Sequence, residues 1–284
     1  MTEFKKYSLN IKGRLLEIDE PLIMGIINAT PDSFYDRSRL LDHQAIAKRV
    51  SEMVEQGADI IDIGACSTRP GAEVATAEQE IERLNIAVTA ARKAAGDNMI
   101  LSIDTYRANV ARHCIEELGA DIINDISGGD LDPDMHNTVA QLQVPYIVMH
   151  MRGTPATMQQ LTNYDGDVLS AVLEDLAHKI DNLHQKGVND IIADPGFGFA
   201  KTLEQNYRML SNLEVFHALE VPLLVGVSRK SMIQKVLDCS ASEALNGTTV
   251  VNTIAMIKGA HLLRVHDIKA AVEARTIVSL LRNQ

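Results

Sequence analysis

Polar residues that could do chemistry recur in this sequence at the ends of short apolar runs. Asn28 closes Leu-Ile-Met-Gly-Ile-Ile, Asp104 closes Ile-Leu-Ser-Ile, Asn124 and Asp125 follow Asp-Ile-Ile, and Met149 and His150 end Tyr-Ile-Val. Asp194 ends Ile-Ile-Ala, the stretch Ser228-Arg-Lys-Ser231 follows Leu-Leu-Val-Gly-Val, and Arg264, His266 and Asp267 crowd the last such run. After the run that ends at Gly64 comes Cys66-Ser-Thr-Arg-Pro-Gly71, where proline and glycine prescribe a definite backbone shape around Arg69. Carboxylates and an amide at Asp104, Asn124 and Asp194 offer partners to a flat heterocycle rich in N–H groups. Arg69, Arg229, Lys230, Arg264 and His266 gather positive groups in a chain of formal charge −11, which points to an anionic substrate. Lys230 stands at a predicted helix start, and Arg264 and His266, two apart on one strand, share a face. A diphosphate fits such a place.

Each of these residues also has a plainer use. Asn and Asp at strand ends commonly cap the next helix or fix a turn, and Asp125 and Asp267 suit that use best. His150 stays open between a site residue and a neutral core histidine held by one hydrogen bond. His178 and His184, on a predicted helix, read as solvated.

The elements that must position this set follow from a weak internal repeat. Gly57-Ala-Asp-Ile-Ile, Gly119-Ala-Asp-Ile-Ile, Gly187-Val-Asn-Asp-Ile-Ile and Gly259-Ala-His-Leu-Leu each set a glycine before an apolar run. Glycine reaches the left-handed conformation at a helix C-terminus without a Cβ penalty, and the branched run suits a buried parallel strand. The glycines lie 62, 68 and 72 residues apart, enough for two strand-helix units each. The missing strands are the runs beginning at Pro21, Met99, Pro145 and Pro222. Between them lie helical patterns such as Leu169, Val172, Leu173, Leu176, Ile180 and Leu183. Eight strands alternating with helices, and no GxGxxG after the first, predict a single α/β domain over residues 1–284, a (β/α)8 TIM barrel. Residues 4–18 predict an N-terminal β-hairpin outside the repeat, turning near Asn10 to Gly13. In a barrel the C-terminal strand ends build the active site, so the polar residues above share one rim.

Composition excludes other classes. An acidic chain lacks the basic stripe that displaces counterions from nucleic acid, so no nucleic-acid partner is expected. Cys66, Cys114 and Cys239 are widely spaced with no CxxC pair, which reads as free thiols in a reducing compartment. The opening MTEFKKYSLNIKG carries no apolar run, and no stretch approaches ~18 apolar residues, so neither a targeting segment nor a membrane is expected. The cytoplasm is the expected location.

Taken together, Asn28-Ala-Thr-Pro-Asp-Ser-Phe34, Ser67-Thr-Arg-Pro-Gly71, Ser102-Ile-Asp-Thr105, Asn124-Asp125, Asp194-Pro-Gly-Phe-Gly-Phe199, Ser228-Arg-Lys230 and Arg264-Val-His266 resemble the dihydropteroate synthase family of pterin-binding TIM barrels. The motifs run in order from about Leu22 to the last helix. The resemblance implies a transferase of folate biosynthesis that joins 6-hydroxymethyl-7,8-dihydropterin diphosphate to p-aminobenzoate, releasing diphosphate by dissociative substitution. It implies a pterin pocket of Asp104, Asn124, Met149, Asp194, Phe199 and Lys230, with Asp194 on the 2-amino and ring N–H edge. It places the diphosphate against Asn28, Arg264 and His266, with Mg2+ held in part by Asn28. Catalytic roles fall to Asn28, Asp104, Lys230, Arg264 and His266. Phe34, Thr68, Arg69 and Pro70 belong to two loops that close over the leaving group and help form the p-aminobenzoate site, where Lys230 and Ser231 meet its carboxylate. The family is usually homodimeric and is the target of sulfonamides. Two departures stand out: Cys66 where a glutamate is common, and Asp36-Arg-Ser38 in place of a more glycine-rich loop end. On this reading Arg264→Ala removes a rim charge and impairs catalysis much more than folding. A corrinoid-linked folate methyltransferase domain would lack use for Ser67-Thr-Arg-Pro-Gly71 and Arg264-Val-His266. A catalytically silent pterin-binding paralogue would keep the pocket without turnover. A Schiff-base aldolase using Lys230 is a third alternative, which borohydride trapping would test.

Overall fold

The computed structural model describes residues 4–30, 39–66 and 75–282, without the side chains of 39–42. Residues 4–18 form the expected hairpin, β1 (Tyr7–Ile11) paired antiparallel with β2 (Arg14–Ile18). Its tight turn uses Lys12 and Gly13, both at positive φ (51° and 83°). Eight parallel strands follow: β3 (Leu22–Asn28), β4 (Ile60–Gly64), β5 (Ile100–Asp104), β6 (Ile122–Asp125), β7 (Tyr146–Met149), β8 (Ile191–Asp194), β9 (Leu224–Val225) and β10 (Leu262–Val265). Their hydrogen-bonded order is β8-β7-β6-β5-β4-β3-β10-β9. A parallel bridge between Ala193 and Leu223, with Ala193 N–H donating to Pro222 O at 2.9 Å, joins the two ends and nearly closes the barrel.

The outer layer holds α1 (Arg39–Glu55), α2 (Ala77–Ala95), α3 (Ala108–Glu116), α4 (Met135–Leu142), α5 (Val168–Gln185), α6 (Leu203–Ser211), α7 (Ser231–Leu237), α8 (Leu245–Ile257) and α9 (Ile268–Arg282). Alternation is strict except after β9, where α7 and α8 both precede β10. Starts follow from sequence: Thr76 and Thr202 each cap a helix in a reciprocal box with Gln79 and Gln205, satisfying N–H groups that the first turn leaves unpaired. The four repeat glycines all take positive φ, as the helix-stop reading requires.

The interior is layered by the two-residue period of the strands. Alternate strand residues such as Ile23, Ile61, Ile63, Leu101, Ile123, Val148 and Leu263 face the helices in the main core. The intervening residues Leu22, Met24, Ile60, Ile100, Ile122, Ile147, Ile192, Leu224 and Leu262 face inward and pack with Leu9, Ile11 and Ile18 of the hairpin, which plugs the barrel floor. Two residues further along, the inward positions turn polar: Asp62, Ser102, Asn124, Asp194 and Arg264, with Met149 and Gly226 between them. The floor is therefore apolar and the mouth charged.

Candidate active site

Arg264 organises the mouth. From β10 it donates through Nε to Asp62 Oδ2 (2.6 Å) and through Nη2 to Asp104 Oδ2 (2.7 Å), on β4 and β5. Asp62 is wholly buried; its Oδ1 accepts from Ser102 Oγ (2.7 Å), and its Oδ2 also accepts from Asn124 Nδ2 (3.2 Å). Gly64 has room for no side chain to spare, since a Cβ there would lie 3.3 Å from that of Asp104. Burial raises the Asp104 carboxyl to about 7, with Arg264 opposing and the Asp62 charge adding to the shift. Burial also works against the charge on Arg264, yet Asp62 and Asp104 together raise its pKa above the ordinary value.

Lys230 and Asp194 form the other half. Lys230 is the N-cap of α7, and its ammonium donates to Phe197 O and lies 4.6 Å from the centre of the Phe199 ring. Burial lowers it to about 8, with Asp194 pulling upward and Arg264 pushing down. Asp194 is buried and its pKa is raised by that burial, against the pull of Lys230 and of the Gly196 N–H that donates to Oδ1 at 2.8 Å. A Cβ on Gly226 would stand 3.8 Å from Arg264 Cβ and 3.9 Å from Lys230 Nζ, so glycine there lets the two side chains come together. Met149, packed with Ile126, Met151, Met158 and Phe199, supplies an apolar wall.

The loop after β8 is held from below by a residue that sequence reasoning passed over. Lys201 is buried and donates to His150 Nδ1 (2.9 Å), Gly196 O (3.0 Å) and Phe199 O (3.0 Å), which matches the three donors of an ammonium. Burial lowers it to about 7 and lowers His150 to about 2, with Lys201 adding to the latter. His150 is thus a neutral core histidine. At Gly196 (φ 72°) a Cβ would stand 2.0 Å from His150 O, so only glycine lets the loop pass.

Other expectations change in detail. Arg229 is not an open rim cation: it forks onto Asp267 through Nε (2.8 Å) and Nη2 (2.7 Å). Asp267 braces that arginine, and Asp125 braces a turn through Ser127 N, Ser127 Oγ and Gly129 N, so both serve structure. Burial lowers His266 to about 4, helped by Arg264 and Arg229, so it works as a neutral group. Ser228 Oγ accepts from His266 N (3.2 Å) and shares a further hydrogen bond with Nδ1 (3.0 Å), which orients the ring. Arg264 is a further correction, for it is the counter-charge of a fully buried carboxylate and not a free rim charge. Asn28 and Ser231 are exposed at the end of β3 and the start of α7. Cys66 is half-buried, its Sγ 3.9 Å from Tyr106 Oη. His178 and His184 are exposed. Phe34, Thr68, Arg69, Pro70 and Asp36-Arg-Ser38 lie outside the described residues. Asp62 was missed although a signal existed: it follows Ile60 by two, as Ser102 follows Ile100, Asn124 follows Ile122 and Asp194 follows Ile192.

The barrel's mouth thus joins buried carboxylates and an amide to two cations, and the family described as pterin binding enzyme matches residues 24–266. The chain is 40% identical over 272 residues to the dihydropteroate synthase of Escherichia coli (strain K12), covering 94% of each. Among solved structures it is similar to Yersinia pestis dihydropteroate synthase with a sulfonamide drug complex (TM-score 0.90, 36% identity, 98% of this chain and 100% of that one). It is also similar to the Xanthomonas albilineans enzyme with 4-aminobenzoic acid (TM-score 0.89, 33% identity, 99% and 100%). The chain belongs to the dihydropteroate synthase family.

Proposed function

We propose that this chain condenses 6-hydroxymethyl-7,8-dihydropterin diphosphate with p-aminobenzoate, yielding 7,8-dihydropteroate and diphosphate. The observation that carries the reading is one polar cluster at the barrel mouth, where Arg264 binds Asp104 and, through Asp62, is joined to Asn124, with Lys230 and Asp194 close enough to shift each other's charge. In it Asp194 and Asn124 would take the N–H edge of the pterin, Met149 and Phe199 would cover its faces, and Arg264 would reach the diphosphate with the neutral His266 ring beside it. The methylene C–O bond breaks with its electron pair leaving on diphosphate, and Asp104 and Asp194 favour the delocalised cation that remains. The amine of p-aminobenzoate then bonds to that carbon and loses a proton. Lys230, with Ser231, would meet its carboxylate. Phe34, Thr68, Arg69 and Pro70 would complete the site.

Magnesium fits as a companion of the substrate. Among the described residues no three His, Cys, Asp or Glu side chains are grouped to hold a metal, and Asn28 offers one exposed amide oxygen. Such a donor set suits an ion that keeps most of its waters and comes with phosphate oxygens. When bound, Mg2+ would neutralise charge on the leaving diphosphate.

A homodimer is supported by exposed apolar side chains on the adjoining helices α8 and α9, among them Val250, Ile254, Ile277 and Leu281. Its three free cysteines support the cytoplasm as location. No helix among the described residues is long and apolar enough to cross a membrane.

The test is direct. Purified protein with Mg2+ and both substrates should form dihydropteroate and release diphosphate in equal amounts. Pterin binding without product would instead leave the silent paralogue.

A further inference from the structure

Asp62 touches no open space, yet it contacts the two residues that would hold opposite ends of the substrate. It lies wholly buried on β4, below the barrel mouth, and every hydrogen bond it makes sets the direction of another polar group. A carboxylate can only accept, so the atom that Asn124 turns toward it must be the amide nitrogen. The Asn124 carbonyl oxygen is then the atom left for a ligand, and the pocket base presents acceptors. Likewise Asp62 takes the Arg264 Nε at 2.6 Å, which fixes the plane of the guanidinium and leaves Nη1 without a described partner. Ser102 Oγ holds the remaining oxygen from below at 2.7 Å.

We infer that Asp62 is the positioning residue of this site, turning Asn124 toward N–H donors of the pterin and Arg264 toward its diphosphate. This rests on the proposed synthase reading and deepens it. Without Asp62, the Asn124 amide is free to rotate by half a turn and present its NH2 to a substrate edge that also donates. The charges that face Asp104 are Arg264, Asp62, Glu80 and Asp125, and of these Asp62 shares its arginine. Removing the Asp62 charge while keeping its shape therefore changes how Asp104 titrates, which a purely structural residue buried elsewhere would not do.

The experiment uses the full chain with Asp62→Asn and, in parallel, Ser102→Ala, which keeps the charge but removes its support from below. Binding of 6-hydroxymethylpterin is measured by calorimetry across pH, and KM and kcat are measured with the pterin diphosphate. Wild type should bind the pterin; if it does not, the synthase reading fails and this inference falls with it. With wild-type binding in place, Asp62→Asn should weaken pterin affinity by about tenfold or more and move the Asp104 limb of the pH profile downward. Ser102→Ala, which leaves the Asp62 charge in place, should weaken affinity in smaller degree with the limb little moved, and its affinity stands in if Asp62→Asn does not fold. Unaltered affinity and an unmoved limb in the folded variants would overturn the inference and leave the synthase reading intact.

Discussion

His261 at the floor of this barrel and Arg264 at its mouth are accommodated in opposite ways. At the floor, His261 is fully buried, and its Nδ1 accepts from Leu223 N (3.0 Å) while Nε2 donates to Lys5 O (3.0 Å). Burial lowers it to about 4, so it is neutral, and both ring nitrogens are satisfied beneath Phe4 and Tyr7 of the hairpin segment. At the mouth, two carboxylates share Arg264, and Lys230 stands close enough to Arg264 to be lowered by it. The floor holds its buried histidine uncharged, whereas the mouth keeps charges that water solvates poorly. A site built that way has its dipoles and charges in place before the substrate arrives, at a cost in stability that the apolar floor offsets.

Arg264→Ala should break the contrast most severely. Loss of a preorganised charge costs about 10²–10³ in kcat, measured by steady-state kinetics. It also strands Asp62, so unfolding should cost roughly 3 kcal/mol less, contrary to the idea of a rim charge whose loss spares folding. A variant with normal denaturant stability would show that Asp62 has another counter-charge. At the floor, Ile18→Ala empties a wholly buried position and should lower stability by about 2–5 kcal/mol. Pterin affinity measured on the folded fraction should stay the same; a parallel loss would mean that floor and mouth are coupled.

The smallest effect tests the charge of the mouth alone. The folded pKa of Asp104 is raised from 3.8 to about 7, so its contribution to stability is complete below 3.8 and is lost as pH rises through about 7. Asp104→Asn has no such loss. The melting temperature of Asp104→Asn minus that of wild type should climb between these pH values and then level off. A flat difference would place Asp104 in ordinary solvent. Lys230 acts in the opposite sense, its contribution complete above 10.5 and lost as pH falls through about 8.

Much of this was legible from residue order. The repeat glycines marked helix ends, the branched runs marked strands, and polar residues after those runs marked the rim, because a strand's two-residue period ties sequence position to a side of the sheet. Asp62 was hidden among four apolar neighbours that made it look like part of a run, although its step from Ile60 matched that of the other site residues. Lys201 gave no periodic signal, since it follows a loop whose path depends on Gly196 passing under His150 O.

By itself the sequence determined the barrel, its N-terminal hairpin and which polar residues stand at the strand ends, because those depend on local conformational preference and on alternation along each strand. Only the tertiary structure decided which charges are free. Arg229 and Arg264 look alike in the chain, yet one forks onto Asp267 and the other spans Asp62 and Asp104. Pairing is a matter of distance across 38 to 202 residues of chain, and the closing of the barrel sets that distance.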